Sequence, residues 1–169
     1  HSALLRPPGV TNPYIPIFTP NAKPVSNETF MAGTQVSGDN TLDAVRSVMT
    51  CEPDYLVMGM SAVTFYGGAK GADAFQSKVE KEAGVRISIG SHSCTAALKT
   101  SGRVTRIAIL SPYYPVSNPQ VAKYFPASGF ELVRDIYLPC TRWTALAAVT
   151  TAVLRAQPTA LNGNGRGVP

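Results

Sequence analysis

From Asn40 onward the apolar positions alternate between two periods. In NTLDAVRSVM, Leu42, Val45, Val48 and Met49 recur at helical spacing, with Asn40 or Thr41 in the capping position and Pro53 as a stop. The next segment, DYLVMG (Asp54 to Gly59), is a contiguous apolar run, the pattern of a short strand buried on both faces. A glycine-rich loop, Tyr66 to Gly71, leads into a second amphipathic helix. There Ala72, Phe75 and Val79 share one face, Lys78, Lys81 and Glu82 point outward, and Gly84 breaks the helix. Strands are then expected at Val85–Ile89, Val104–Leu110 and Phe130–Tyr137, and helices at Ser91–Thr100, Asn118–Tyr124 and Thr144–Ala156. Strands alternating with helices of this length predict βαβ units, a parallel sheet, and helices on both of its faces.

The two ends lack this alternation. Residues 1–40 are rich in Pro, Gly, Asn and Thr. Only Tyr14 to Thr19 reads as a strand, and Pro16 demotes it to an edge or irregular one. From Gln157 the chain has little apolar content and no period, so a disordered or linker tail is expected.

Composition narrows the class. At 44% hydrophobic residues over 169 positions, the chain can bury a core, which excludes wholesale disorder. The formal charge of +5 is dispersed over Lys70, Lys78, Lys81, Arg86, Lys99, Arg103 and Arg106. Nucleic-acid binding needs such charges gathered on one face, so no nucleic-acid partner is expected, though the excess still attracts small anions. Three cysteines, Cys51, Cys94 and Cys140, are too few for a disulfide scaffold and lack zinc-site spacing. No apolar run reaches the roughly 18–20 residues of a membrane span, and prolines interrupt residues 1–20 where a signal peptide would need an apolar stretch. The expectation is a reduced, cytoplasmic protein without a membrane partner.

In a parallel α/β sheet, ligands bind beyond the carboxyl ends of the strands. Two loops leave such ends. After the first strand, Gly59, Met60 and Ser61 offer unpaired backbone N–H groups and one hydroxyl, a donor set for a carboxylate or an enediolate oxygen; a tight turn needing glycine is the plainer explanation. After the strand ending in RIAILS, Ser111, Tyr113, Ser117 and Asn118 supply further donors. Helix capping, with Pro119 in the first turn, accounts for Ser117 and Asn118 but not for a phenol. A third segment, GSHSCTAA, offers Ser91 as a cap, His92 as an acid or base and Cys94 as a thiolate favoured by a helix N-terminus. Against these stand a surface histidine and a small buried cysteine. Cys51 reads as packing, and Cys140 follows a strand without a nearby His or Asp. No dinucleotide, P-loop or HExxH motif occurs, so chemistry without cofactor or metal is expected.

At these loops the sequence resembles the Asp/Glu racemase superfamily, in its maleate isomerase and arylmalonate decarboxylase branch. The resemblance runs from about Arg6 to Ala156 and is carried by PDYLVMGMSAVTFYGG (Pro53–Gly68), SCTAALKTSGRVTRIAILSPY (Ser93–Tyr113) and, more weakly, TALAAVTTAVLRA (Thr144–Ala156). It implies an α/β fold with a Rossmann-like three-layer sandwich and a parallel sheet. The chain would form one half of a two-domain, pseudo-symmetric molecule (1–112), the start of the second half (113–156) and an irregular tail (157–169). The implied activity is cofactor-independent isomerisation, racemisation or decarboxylation of a small carboxylic acid. The family's first cysteine aligns with Gly59; the decarboxylases also have glycine there, followed by Thr-Ser donors. Here Met60 replaces the Thr and Ser61 keeps the Ser, while Tyr113 matches the substrate-binding tyrosine. Cys94 and Cys140 fall on neither catalytic position. The first strand, with its Pro-Ser-Ser-Asn loop, is expected before His1, and the second cysteine beyond the end of the chain.

The resulting expectation is a small-carboxylate isomerase or decarboxylase. Gly59, Met60, Ser61, Ser111 and Tyr113 would bind substrate, and Cys94 and His92 are the candidates for proton chemistry. The alternatives are a non-catalytic carboxylate-binding paralogue and an assembly role, in which a second subunit covers an exposed half-sheet as a homo-oligomer.

Overall fold

The computed structural model describes residues 7–19, 26–113, 115–138, 145, 148–153, 155 and 156. Five helices are complete among them: α1 (Asn27–Asp39), α2 (Thr41–Met49), α3 (Gly68–Ala83), α4 (Gly90–Thr100) and α5 (Asn118–Ala127). Four strands accompany them: β1 (Leu56–Val57), β2 (Ile87–Ser88), β3 (Arg106–Ser111) and β4 (Glu131–Tyr137). Two 3-10 turns, Ala62–Phe65 and Pro115–Ser117, follow β1 and β3. No helix among the described residues is long and apolar enough to cross a membrane.

The strands pair in parallel, β1 with β2 and β3 with β4. This is an α/β fold, as expected, but the ladder is not continuous: the described strands form two separate pairs. The β1–β2 pair is only two residues long on each side, extended by the Met58 N–H donating to the Ser88 carbonyl at 2.9 Å. One core unites the pairs. Leu56, Met58, Ile87 and Ile89 share it with Ile107 of β3, Val79 of α3 and Tyr124 and Phe125 of α5. Ala72 and Val79 are fully buried on the expected face of α3, and Gly84 closes that helix at φ 71°.

Three expectations are corrected. Regular structure begins before Asn40, because α1 occupies residues assigned to an irregular segment. Ser26 caps it: the Thr29 N–H donates to the Ser26 side chain at 3.3 Å, and the Ser26 N–H to Thr29 Oγ1 at 2.6 Å, a reciprocal capping box. Its buried side is Phe30, Thr34 and Ser37, mostly hydroxyl residues that a hydrophobic pattern does not register. The Thr34 hydroxyl is satisfied locally, its Oγ1 donating to the Phe30 carbonyl at 2.8 Å. Next, Tyr14 to Thr19 forms no strand; Thr19 is instead pinned to α1 by a 2.6 Å bond with Ser37 Oγ. Finally, β1 is buried on one face only. Leu56 and Met58 point into the core, whereas Val57 is 77% exposed, since nothing among the described residues covers that side. The expected helix at Thr144–Ala156 lies partly outside the described residues; of those described there, 145, 148, 151–153, 155 and 156 are helical and 149 and 150 are not. Cys140 and the tail from Gln157 lie outside them altogether.

Candidate functional site

The chain leaves the core at Met58 and turns immediately. Gly59 is exposed and its φ lies outside the left-handed region; a Cβ built there would meet nothing within 4 Å. Local sterics therefore do not require glycine, and the tight-turn explanation fails for this position. Met60 is half-buried and packs against the cluster of Phe30 and Ala62, as Tyr113 and Val116 do. Ser61 precedes the first 3-10 turn but makes no capping bond with its side chain. Its hydroxyl is turned instead toward the end of β3.

There it meets Tyr113. Ser61 Oγ and Tyr113 OH are hydrogen-bonded to each other across 52 residues of sequence. Tyr113 is aimed by its own backbone: its N–H donates to Ser111 Oγ at 3.1 Å, and Ser111 is buried at the last position of β3. The phenol ring leans on Phe30 and Phe65, with centroids 6.3 and 6.2 Å away. Burial pushes the Tyr113 phenol above its ordinary range, the Ser61 bond opposes this, and the charge of Cys94 adds to the rise. At neutral pH the phenol is therefore a hydrogen-bond donor.

Two further bonds join the same loops. Tyr66 OH and Ser117 Oγ lie 2.9 Å apart, and the Gly67 N–H donates to Gln120 Oε1 at 3.1 Å. The turns after β1 and β3 thus meet at three points, with the Ser61–Tyr113 pair among them. Ser117 occupies the N-cap position of α5 as expected, with Pro119 in the first turn, but its hydroxyl bonds Tyr66 rather than the helix, and Asn118 Oδ1 is buried without a partner among the described residues.

Helix α4 abuts the Ser61 turn. A Cβ on Gly90 would stand 2.5 Å from Ser61 Cβ, so the helix start and the turn touch backbone to backbone. Ser91 is not the cap: Ile89 occupies that position, and the fully buried Ser91 hydroxyl has no partner among the described residues. The Ser91 N–H donates to Thr64 Oγ1 at 3.1 Å. The positive end of the α4 dipole consequently lies beside Ser61 and favours a negative group there.

Of the sequence-derived candidates, Gly59, Met60, Ser61, Ser111 and Tyr113 come together. Ser61 and Tyr113 offer hydroxyls, Met60 packs on the Phe30–Ala62 cluster beside them, and Ser111 accepts from the Tyr113 backbone. His92 is differently placed. Its Nδ1 is 2.7 Å from Gln76 Oε1 and its Nε2 is 3.1 Å from Asp73 Oδ1, so both ring nitrogens engage α3. Cys94 is exposed rather than packed in the core, as is Cys51. Partial burial of the Cys94 thiol pushes its pKa up, opposite to the lowering expected from a helix N-terminus. Phe30, Thr64 and Gly90 escaped sequence reasoning. Only the capping pattern at Ser26–Thr29 could have pointed to Phe30; the other two are defined by contacts between distant segments.

Parallel strands alternating with helices, with two hydroxyls meeting beyond the strand ends beside a helix N-terminus, define an α/β protein. The arylmalonate decarboxylase family profile matches residues 41–163, well over half of the chain, and the chain belongs to that family. No curated protein matches it. Among solved structures it is similar to unliganded arylmalonate decarboxylase, at 17% identity and TM-score 0.64 over 76% of this chain and 55% of that one. It is also similar to a mutant of Nocardia farcinica maleate cis-trans isomerase with a covalently bound succinylcysteine intermediate, at 19% and 0.68 over 95% and 63%. A third is the maleate isomerase Iso from Pseudomonas putida S16, at 16% and 0.70 over 85% and 58%. The likeness establishes the fold, and the chain spans 55–63% of the length of these relatives.

Proposed function

We propose that the protein takes part in cofactor-independent decarboxylation of a small substituted malonate, with isomerisation of an unsaturated dicarboxylate as the related alternative. The observation that carries this reading is the Ser61–Tyr113 hydroxyl pair at the tips of β1 and β3. A carboxylate entering the crevice accepts hydrogen bonds from both hydroxyls, replacing the bond they make with each other. Backbone N–H groups of the Gly59–Ser61 turn and the α4 dipole add to the same field. When the second carboxylate leaves as CO2, the electrons of the broken C–C bond pass to the retained carboxylate as an enediolate. Donors already aimed at those oxygens stabilise it, by about 3–4 kcal/mol per donor in comparable sites. Tyr113, held protonated by burial, keeps donating as that charge grows.

The enediolate must then take a proton at carbon. Cys94 is suited to this: burial keeps its thiol protonated at neutral pH, and it lies near enough to Tyr113 for its thiolate, once formed, to raise the phenol. Gly59 favours decarboxylation over isomerisation, because a glycine brings no nucleophile to that position. Calorimetry with an aryl-substituted malonate and with maleate, paired with CO2 release and maleate turnover, tests the proposal. Binding of the malonate with CO2 release is expected. Binding without turnover would reduce the protein to a carboxylate binder, and no binding of either acid would end the carboxylate reading.

A further inference from the structure

We propose that Thr64 is the positioning residue of this site, holding the Ser61 turn and the N-terminus of α4 in one fixed relation. The inference rests on the carboxylate-binding reading and adds to it a residue outside the recognised motif. Thr64 is fully buried and lies inside the 3-10 turn that follows Ser61. Its Oγ1 donates to the Ser61 carbonyl at 2.7 Å and accepts the Ser91 N–H at 3.1 Å. One hydroxyl therefore uses its proton on the turn and a lone pair on the helix. The Ser61 N–H lies on the same peptide chain as the clamped carbonyl, and Ser61 Oγ reaches Tyr113. The Ser91 N–H, a donor in the first turn of α4 that would otherwise face the crevice or water, is occupied by Thr64.

The absence of a side chain at Gly90 makes the arrangement possible. Its built Cβ would lie 2.5 Å from Ser61 Cβ and 3.6 Å from Thr64 Oγ1, so the helix can approach near enough for the Ser91 N–H to reach the threonine. The bond chain from Ser91 through Thr64 to Ser61 fixes where the positive end of α4 sits relative to the hydroxyl pair. An apolar group at position 64 would keep the volume and lose the alignment.

Thr64→Val removes both side-chain bonds with little change of shape and leaves the Thr64 N–H on the Ser61 carbonyl at 3.0 Å; Thr64→Ser retains all three. Thr64→Ala provides the same comparison should the valine variant fail to fold. In each, amide hydrogen exchange at Ser91 is measured together with the Kd for an aryl-substituted malonate. The expected result is lost protection at Ser91 and a Kd at least tenfold higher in the valine or alanine variant, with the serine variant within about threefold of wild type. A general packing role would lower Tm in all variants without separating serine from valine in Kd, and that result would overturn the proposal. An unchanged Kd in the valine variant would overturn it too while leaving the carboxylate reading intact. Failure of the wild type to bind the malonate would instead remove both.

Discussion

The turn after β1 and the first turn of α4 carry equally suggestive chemistry in the sequence, a Gly-Met-Ser beside a tyrosine and a Ser-His-Ser-Cys. The fold treats them differently. Ser61 makes no capping bond and Tyr113 is half-buried against the rings of Phe30 and Phe65, so their hydroxyls meet each other. His92, by contrast, has both nitrogens engaged by Gln76 and Asp73 of α3. Reactive residue types form a site only when their hydrogen-bonding capacity faces a common space. In α4 the part that reaches Ser61 is backbone: its N-terminus and the glycine that lets it approach.

The two glycines at the site sharpen this contrast. Gly90→Ala is expected to have the largest effect. It sets a methyl group against Ser61 Cβ and Cα at 2.5 and 3.0 Å, an overpacking that costs about 1–3 kcal/mol. Thermal or urea unfolding measures the loss; an unchanged midpoint would mean that helix and turn are not in contact. A smaller effect is expected at alkaline pH. The folded Tyr113 phenol titrates above its unfolded value, so its contribution is complete below about pH 10 and is lost as pH rises through the folded pKa. Tm should therefore fall more steeply above about pH 10 in wild type than in Tyr113→Phe. Tyr137, raised by burial and by Asp135, contributes equally to both proteins. Parallel curves would place Tyr113 in solvent. The smallest effect is expected at the other glycine. Gly59→Ala meets open space without backbone strain, so Tm should stay level or rise, by about 0.4–1 kcal/mol of stability. A marked loss would restore the tight-turn explanation.

Much of the fold is legible in the sequence because it follows from apolar periodicity. The faces of α2 and α3, the Gly84 stop and the β3 and β4 strands are of this kind. Helix α1 is not, since its buried side is built from Thr34 and Ser37, whose hydroxyls are satisfied by bonds invisible in a hydropathy pattern. The exposure of Val57 escapes for another reason: a contiguous apolar run records suitability for burial, while coverage depends on what packs over it. At the site, the conjunction of Ser61 and Tyr113 is anticipated by the rule that loops at parallel strand ends converge. The roles of Thr64 and Gly90 depend on distances between segments 26 residues or more apart, such as Thr64 to Ser91 and Ser61 to Gly90. No local pattern encodes those distances.

The central claim is that Ser61 and Tyr113 act on one bound acid as a unit. A double-mutant cycle of Ser61→Ala and Tyr113→Phe, read as the calorimetric Kd for an aryl-substituted malonate, tests it most directly. Each single change should weaken binding, and the pair should weaken it by less than the sum, with a coupling of about 0.5–3 kcal/mol. Strictly additive losses, or no loss from either change, would show that the two hydroxyls do not share a ligand.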